Sequence, residues 1–326
     1  MPRVPAFAKI NLGLKVLYRR ADGYHEIATL FQTISLADHL RIEAALAPKT
    51  AIRLQSDVTI PGAMEDNLAW RAAQLLLGQM GVSADVDIFI EKRIPMGGGL
   101  GGGSTDAAAV LLALPALLGQ RVEVGTLMEI GARLGSDVPY FLTGGTCEAF
   151  GRGEVVEMLP DLEETHGVLI APGLHVSTPD AYRELARLPE AELTQVAREE
   201  IMERFRALVG SVYRREPPEV WAGNCENDFE PVAFRQYAQL EPLLEAISAT
   251  GAQPARMSGS GSTLFGLYAS VEAAVAAEAK LKAETSGHAT VNRVEIFHTV
   301  SRRHYERAWH TALSSSTDGA SWPPRS

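Results

Sequence analysis

Cysteine is nearly missing from this 326-residue chain: Cys147 and Cys225 stand far apart, with no metal-type spacing. That excludes a disulfide-stapled scaffold and reads as two unpaired thiols of a reducing compartment. Positive charge is also in deficit, with 30 Lys and Arg against 40 Asp and Glu and a net charge of −10. No long basic run breaks the balance, so nucleic acid and anionic membrane are set aside as partners. No apolar run reaches the length of a bilayer span. The opening MPRVPAFAKINLGL enters a strand pattern at once, which is taken to leave no room for a signal or transit peptide. A cytoplasmic globular protein is expected, long enough for one large or two ordinary domains.

What the chain does have is strand and helix pattern in both halves. Ile10, Leu12, Leu14 and Val16 alternate with polar positions, predicting a half-buried strand over 4–18 with Lys9, Asn11 and Lys15 on its other face. RADGYHEI supplies an Asp-Gly turn, IATLFQTISL the returning strand, and DHLRIEA and AIRLQ two further short strands. EDNLAWRAAQLLLGQMG reads as a helix capped by Asp66 or Asn67 and stopped by glycine. VDIFIEKRI is a strand, and STDAAAVLLAL a helix with Ser104 or Thr105 as its cap, ended or kinked at Pro115. VEVGTLMEIGARLG is a further helix and GGTCEAFGRGEVVEML a hairpin; acidic PDLEETHG at 160–167 is the candidate crossing between domains. The second half offers the strands VLIAP, STLFGLY and VNRVEIF, with helices from Thr178, over 190–209, at QLEPLLEAISATG and near 271–283. An α+β class in two domains follows, 1–161 and 162–308, with 309–326 expected as a disordered tail.

Six glycines fill the seven positions from Gly97 to Gly103, inside PMGGGLGGGSTDAAAV. A flexible linker has this composition, but a linker is not normally clamped between a strand and a long apolar helix. Helix-start N–H groups are unpaired and partly positive, and glycine lets backbone approach a ligand, so the run suits phosphate oxygens. It is not a Walker A loop, because no Lys-Ser/Thr follows the last glycine. A dinucleotide fingerprint can be forced onto Gly97, Gly99 and Gly102, yet several antiparallel-looking strands precede it.

PMGGGLGGGSTDAA resembles the phosphate loop of the GHMP small-molecule kinases, named for galactokinase, homoserine kinase, mevalonate kinase and phosphomevalonate kinase. PAFAKINLGLKV at 5–16 and RMSGSGSTLFG at 256–266 resemble two further family segments, in the expected order. Within the superfamily, AKINLGLKVLYRRADGYHEIATLFQTI, GSDVPYFL and STPDAY are similar to the branch that phosphorylates the C2 hydroxyl of a diphosphocytidyl methylerythritol, in non-mevalonate isoprenoid synthesis. The resemblance covers roughly residues 3–305. It implies an N-terminal ribosomal-protein-S5-domain-2-like domain, a C-terminal ferredoxin-like domain and an active site in the cleft between them. It implies ATP as co-substrate with Mg²⁺, a small cytidyl acceptor, and a monomer or weak homodimer.

Residue by residue, the resemblance lays the ATP phosphates along Pro95, Met96, Gly97, Gly98, Gly99, Leu100, Gly101, Gly102, Gly103, Ser104 and Thr105. Asp106 is read as part of the helix start, with a magnesium contact as the other reading. Asp137 matches the catalytic aspartate; spacing alone would make it a helix cap before Pro139. Lys9 matches the active-site lysine, although a strand lysine on a non-core face is usually just solvated. Asn11 shares its face. The resemblance sets Tyr24 and Tyr182 around the cytosine, His25 at its edge and Thr178 on the methylerythritol or phosphate part; without it, Tyr24 and His25 would simply pack beside a hairpin. Ser258, Gly259 and Gly261 are implied at the substrate and phosphates, where Ser-Gly repeats alone would suggest a linker. Asn67 and Lys92 are either neighbours of the adenosine or a cap and a solvated strand end. ENDFE at 226–230 resembles a family segment and is treated as structural. The stretch around 188–222 is longer and more charged than the family leads one to expect, and its REEIMERFR is read as a solvated helix face. Three rivals stand beside this reading: a GHMP kinase for mevalonate, homoserine or a sugar; a nucleotide-binding protein without activity; and a dinucleotide-dependent oxidoreductase.

Overall fold

In a computed structural model, the described residues are 2–185, 195–288 and 290–314. Two sheets organise them. The first begins with the hairpin of β1 (Arg3–Arg19) and β2 (His25–Leu46), closed by the Asp-Gly turn with Gly23 at φ 87°. The two segments expected as separate strands over 27–44 are one strand: 22 residues paired with β1 along one edge. The other edge of β2 holds β4 (Ala84–Glu91) and β5 (Thr146–Phe150), extended by β3 (Ala51–Ser56) and β6 (Val155–Met158). The second sheet is antiparallel throughout, in the order β10 (Val291–His298), β7 (His166–Pro172), β9 (Leu264–Tyr268), β8 (Ala255–Met257). Its strands run fourth, first, third, second, the ferredoxin-like arrangement implied for the C-terminal half.

Helices cover the outer faces. α1 (Leu68–Met80), α2 (Gly102–Leu117), α3 (Val124–Leu134) and α4 (Val138–Thr143) share a core with the first sheet. α5 (Thr178–Leu185) leads out of β7, and α6 (Gln195–Tyr213) and α7 (Pro218–Trp221) follow in the chain. α8 (Glu230–Gln236), α9 (Leu240–Ser248) and α10 (Val271–Glu284) cover the second sheet. The inner faces meet in a core of their own, where Ile10 and Leu12 of β1 cluster with Leu169, Phe265 and Phe297 of the second sheet. Burial from both sides explains why β1 is not half-buried as its alternation suggests: Lys9, Asn11 and Lys15 are only 3%, 2% and 5% exposed.

Lys15 also leaves the face of Lys9 and Asn11. The register steps from Asn11↔Phe31 to Gly13↔Leu30, so Leu12 is an extra residue in β1. One inserted residue reverses the side-chain alternation beyond it. Leu14 thereby joins Lys9 and Asn11 on the wall of the central cavity, and Lys15 turns to Glu226 and Asp228.

Three further expectations need correction. The cap of α2 is Gly101, at φ 75°, and Ser104 and Thr105 lie inside the first turn. The charged helix over 195–213 is not merely a solvated face: Phe205, Leu208 and Val212 are buried in the core between the sheets, with Trp221 beside them. Residues 188–194 lie outside the described residues. The expected tail from 309 begins within α11 (Arg302–Leu313), whose Tyr305, Trp309 and Leu313 return to the core of the first sheet. Residues 315–326 lie outside the described residues. No helix among the described residues is long and apolar enough to cross a membrane.

Candidate active site

The glycine-rich run, the candidate phosphate loop, is built by the turn from β4 into α2. Gly97, Gly99 and Gly101 all adopt positive φ. At Gly99 close approach adds to the conformational demand, since a Cβ there would run into the Ser258 carbonyl. The first amides of α2 have no intrahelical acceptor and stand at the positive end of its dipole. Residues Pro95 through Ser104 line a cavity of about 1060 Å³ between the sheets. That volume is at the upper end of ordinary small-molecule sites and suits a nucleotide beside a second substrate. Thr105 is not on the wall: it is 1% exposed, and its Oγ1 is buried without a hydrogen-bond partner.

Lys9 reaches the cavity from β1. Its backbone N–H donates to Leu100 O at 3.1 Å, tying the strand to the phosphate loop. Its ammonium donates to Asn11 Oδ1 at 2.6 Å and lies 3.5 Å from Asp137 Oδ2. Burial lowers the Lys9 pKa, with Asp137 opposing. Asp137 occupies the cap position of α4 but makes no side-chain capping hydrogen bond. Its carboxylate is therefore left to the cavity, where its side chain is 31% exposed. Asn11 is held in turn by Thr29, whose Oγ1 accepts from Asn11 Nδ2 at 2.8 Å and donates to Gly13 O at 2.7 Å.

On the wall of the same cavity the His25 and Tyr182 rings stack, with centroids 4.8 Å apart and planes 10° from parallel. Phe229 meets Tyr182 edge-on at 4.9 Å. Burial and the nearby Arg19 lower the His25 pKa, favouring a neutral ring with one donor and one acceptor. Tyr24 is more than half exposed, and the Arg152 guanidinium lies 4.7 Å from its ring centroid. Tyr24 and Tyr182 thus both reach the wall, with His25 rather than Tyr24 against Tyr182. Thr178 shares a 2.9 Å hydrogen bond with Ser260, and both line the cavity. Gly259 lines it too, whereas Ser258 and Gly261 stand behind the wall.

Asn67 and Lys92 are both on the wall. Asn67 also caps α1, its Oδ1 accepting from Ala69 N at 2.9 Å. Lys92 is no solvated strand end. Its ammonium bridges Asp38 and Asp106, the latter at 2.8 Å, and all three side chains are at most 7% exposed. Burial pulls the Lys92 pKa down, but the two carboxylates outweigh it and the net shift is upward. Burial pushes Asp106 up to about 7 against the pull of Lys92. Arg152 and His175 were missed by sequence reasoning. One sits in the β5–β6 turn, the other before α5, and only folding brings them to the cavity; no local motif marks either.

Among the described residues, no three His, Cys, Asp or Glu side chains converge as a metal cage. Asp106, in α2, is engaged with Lys92. The described residues do not fit a resident Mg²⁺.

The model of the GHMP kinases N terminal domain matches residues 67–145, and that of the GHMP kinases C terminal domain matches residues 197–286. The 4-diphosphocytidyl-2-C-methyl-D-erythritol kinase of Solibacter usitatus is 42% identical over 98% of this chain and 96% of its own length. The kinase of the same name from a Synechococcus strain is 40% identical over 85% of this chain and 88% of its own. A crystal structure of 4-(cytidine 5'-diphospho)-2C-methyl-D-erythritol kinase superposes with a TM-score of 0.71 at 37% identity, covering 91% of this chain and 98% of that one. The mevalonate kinase of L. major shares the fold, with a TM-score of 0.69 at 17% identity, covering 92% of this chain and 96% of that one.

Proposed function

The chain belongs to the GHMP kinases and, among them, to the 4-diphosphocytidyl-2-C-methyl-D-erythritol kinases, and from that membership we propose how its residues carry the family's reaction. The enzyme transfers the γ-phosphoryl group of ATP to the C2 hydroxyl of 4-diphosphocytidyl-2-C-methyl-D-erythritol. The products are the 2-phosphate and ADP, on the non-mevalonate route to isoprenoid precursors. The observation that carries this reading is the Lys9–Asp137 pair, on the wall of one cavity with the phosphate loop and the His25–Tyr182 stack.

ATP phosphates rest on the glycine turns and on the free amides of α2. Mg²⁺ arrives with the nucleotide and is part of that substrate. Asp137 accepts the proton of the C2 hydroxyl as its oxygen bonds to the γ-phosphorus and the bond to the β-phosphate oxygen breaks. Lys9 pairs with Asp137 and balances negative charge gathering on the transferring oxygens. The cytosine takes the place of the His25 ring against Tyr182, with Tyr24 closing on its other face and neutral His25 displaced to the base edge. Enclosure between the sheets keeps water from the phosphoryl group. Buried, unpaired Cys147 and Cys225 support a cytoplasmic setting.

An acceptor panel tests the reading. With ATP, turnover is expected for the diphosphocytidyl acceptor and not for mevalonate, homoserine or methylerythritol phosphate. Equal turnover of an acceptor lacking cytidine would overturn it.

A further inference from the structure

The segment Glu226–Glu230, for which sequence offers no chemistry, runs beside β1 behind the cavity. Leu14 N donates to Glu226 O at 2.8 Å, and Asp228 N donates to Leu14 O at 3.0 Å. Lys15 donates to the Glu226 carboxylate and to Asp228 Oδ1, the latter at 3.0 Å, while Val16 N donates to Asp228 Oδ2 at 2.8 Å. The segment is thus fixed to the strand that carries Lys9 and Asn11.

Between these anchors Asn227 is 5% exposed. Its Oδ1 accepts from Phe229 N at 2.9 Å. Its Nδ2 donates to two carbonyls of another segment, Met257 O at 2.7 Å and Gly259 O at 2.8 Å. Those carbonyls flank Ser258, so holding both fixes the peptide planes around it. Ser258 Oγ in turn donates to Gly99 O at 3.0 Å and accepts from Asn11 N at 3.3 Å. At Gly259 even a Cβ would stand only 3.1 Å from Gly99 O and 3.4 Å from Lys9 Nζ. The backbone that Asn227 holds is therefore the backbone against which the phosphate loop and the Lys9 ammonium rest. Of the common side chains this size, a carboxamide offers two N–H donors and an acceptor without charge. A carboxylate there would face two carbonyls, and an aliphatic chain would leave them buried and unpaired.

We propose that Asn227 is a positioning residue for phosphoryl transfer, its carboxamide setting residues 257–259 against the phosphate loop and Lys9. The proposal rests on the kinase reading above. It assigns to Asn227 an effect on the rate of the chemical step, exerted through Ser258, and none on recognition of the base.

The test compares Asn227→Asp, Asn227→Ala, Ser258→Ala and the Asn227→Ala/Ser258→Ala double variant with wild type. All are assayed with ATP and the cytidyl acceptor, below their measured melting temperatures. Asn227→Asp keeps the Oδ1 bond to Phe229 and so leaves the aromatic end in place. Misplacement on the ångström scale is expected to lower kcat of both Asn227 variants by about 10- to 100-fold. KM for the acceptor should hold within about threefold for Asn227→Asp. The double variant should be no more than about threefold slower than its slower parent, because both substitutions break one linkage. Folded Asn227 variants with kcat within about twofold of wild type would overturn the proposal. Losses that multiply in the double variant would do the same. So would failure of both Asn227 variants to fold, since that assigns the amide to global stability. Wild type in the same assay separates the two readings: an inactive wild type contradicts the kinase reading, whereas an active wild type with undiminished variants contradicts only the role of Asn227.

Discussion

Lys9 and Lys92 line one cavity, and both ammonium groups are buried, their side chains 4% and 7% exposed. Their surroundings differ in the number of carboxylates. Lys92 sits between Asp38 and Asp106, and its pKa ends above the ordinary value. Lys9 has one carboxylate at 3.5 Å and a carboxamide oxygen at 2.6 Å, and its pKa ends below. Asp38 also accepts from the backbone of Arg93 and from Ile94 N at 2.8 Å. The Lys92 cluster thus ties the end of β4 to α2 and β2, leaving an ammonium already matched by negative charge. Lys9 faces one carboxylate rather than two, so an anion entering the cavity meets less opposing negative charge around it. Burial alone does not separate the two lysines; the number of carboxylates around each does.

Breaking the matched cluster should have the largest effect, on stability. Lys92→Met leaves Asp38 and Asp106 buried face to face, which is expected to cost about 3–5 kcal/mol in denaturant unfolding. Lys9→Met should move the other quantity. Removing a preorganised cation from the transferring group is expected to lower kcat about 10²–10³-fold, with nucleotide affinity in equilibrium binding nearly unchanged. If Lys9→Met cost mainly stability, or Lys92→Met mainly kcat of fully folded protein, the distinction between the two lysines would be wrong. The smallest effect concerns pH. In the folded, nucleotide-free protein Asp106 keeps its proton up to about pH 7, against 3.8 as its ordinary value. The folded state therefore holds an extra proton between those values. This stabilisation is complete below 3.8 and lost as pH rises through about 7. Asp106→Asn should flatten that part of the melting-temperature profile, and an unchanged slope would place the titration elsewhere.

Legibility in the sequence followed how local each feature is. The candidate phosphate loop is a contiguous run whose proposed job falls to its own backbone, so composition and flanks expose it. Three of the second sheet's four strands were equally plain, and the cap of α1 was narrowed to Asp66 or Asn67; the three-residue β8 carries too short a pattern to be read. Lys9 and Asp137 needed a family pattern, because a strand lysine and an aspartate before Pro139 each have ordinary structural uses. Lys15 was assigned to the wrong face because one extra residue at Leu12 is invisible to a period-2 reading. The α6 helix was misjudged because its charges obscure the spaced apolar residues that enter the core. ENDFE stayed silent because Asn227 acts on carbonyls some 30 residues away, which no local pattern displays.

The central claim is that the carboxylate facing Lys9 takes the proton of the acceptor hydroxyl. Rapid-quench single turnover of Asp137→Asn, with ATP and the cytidyl acceptor both saturating, tests it most directly. Loss of the base is expected to slow phosphoryl transfer about 10²–10⁴-fold while ATP binds about as tightly as to wild type. A single-turnover rate within about fivefold of wild type would contradict it and move the proton acceptor to another group.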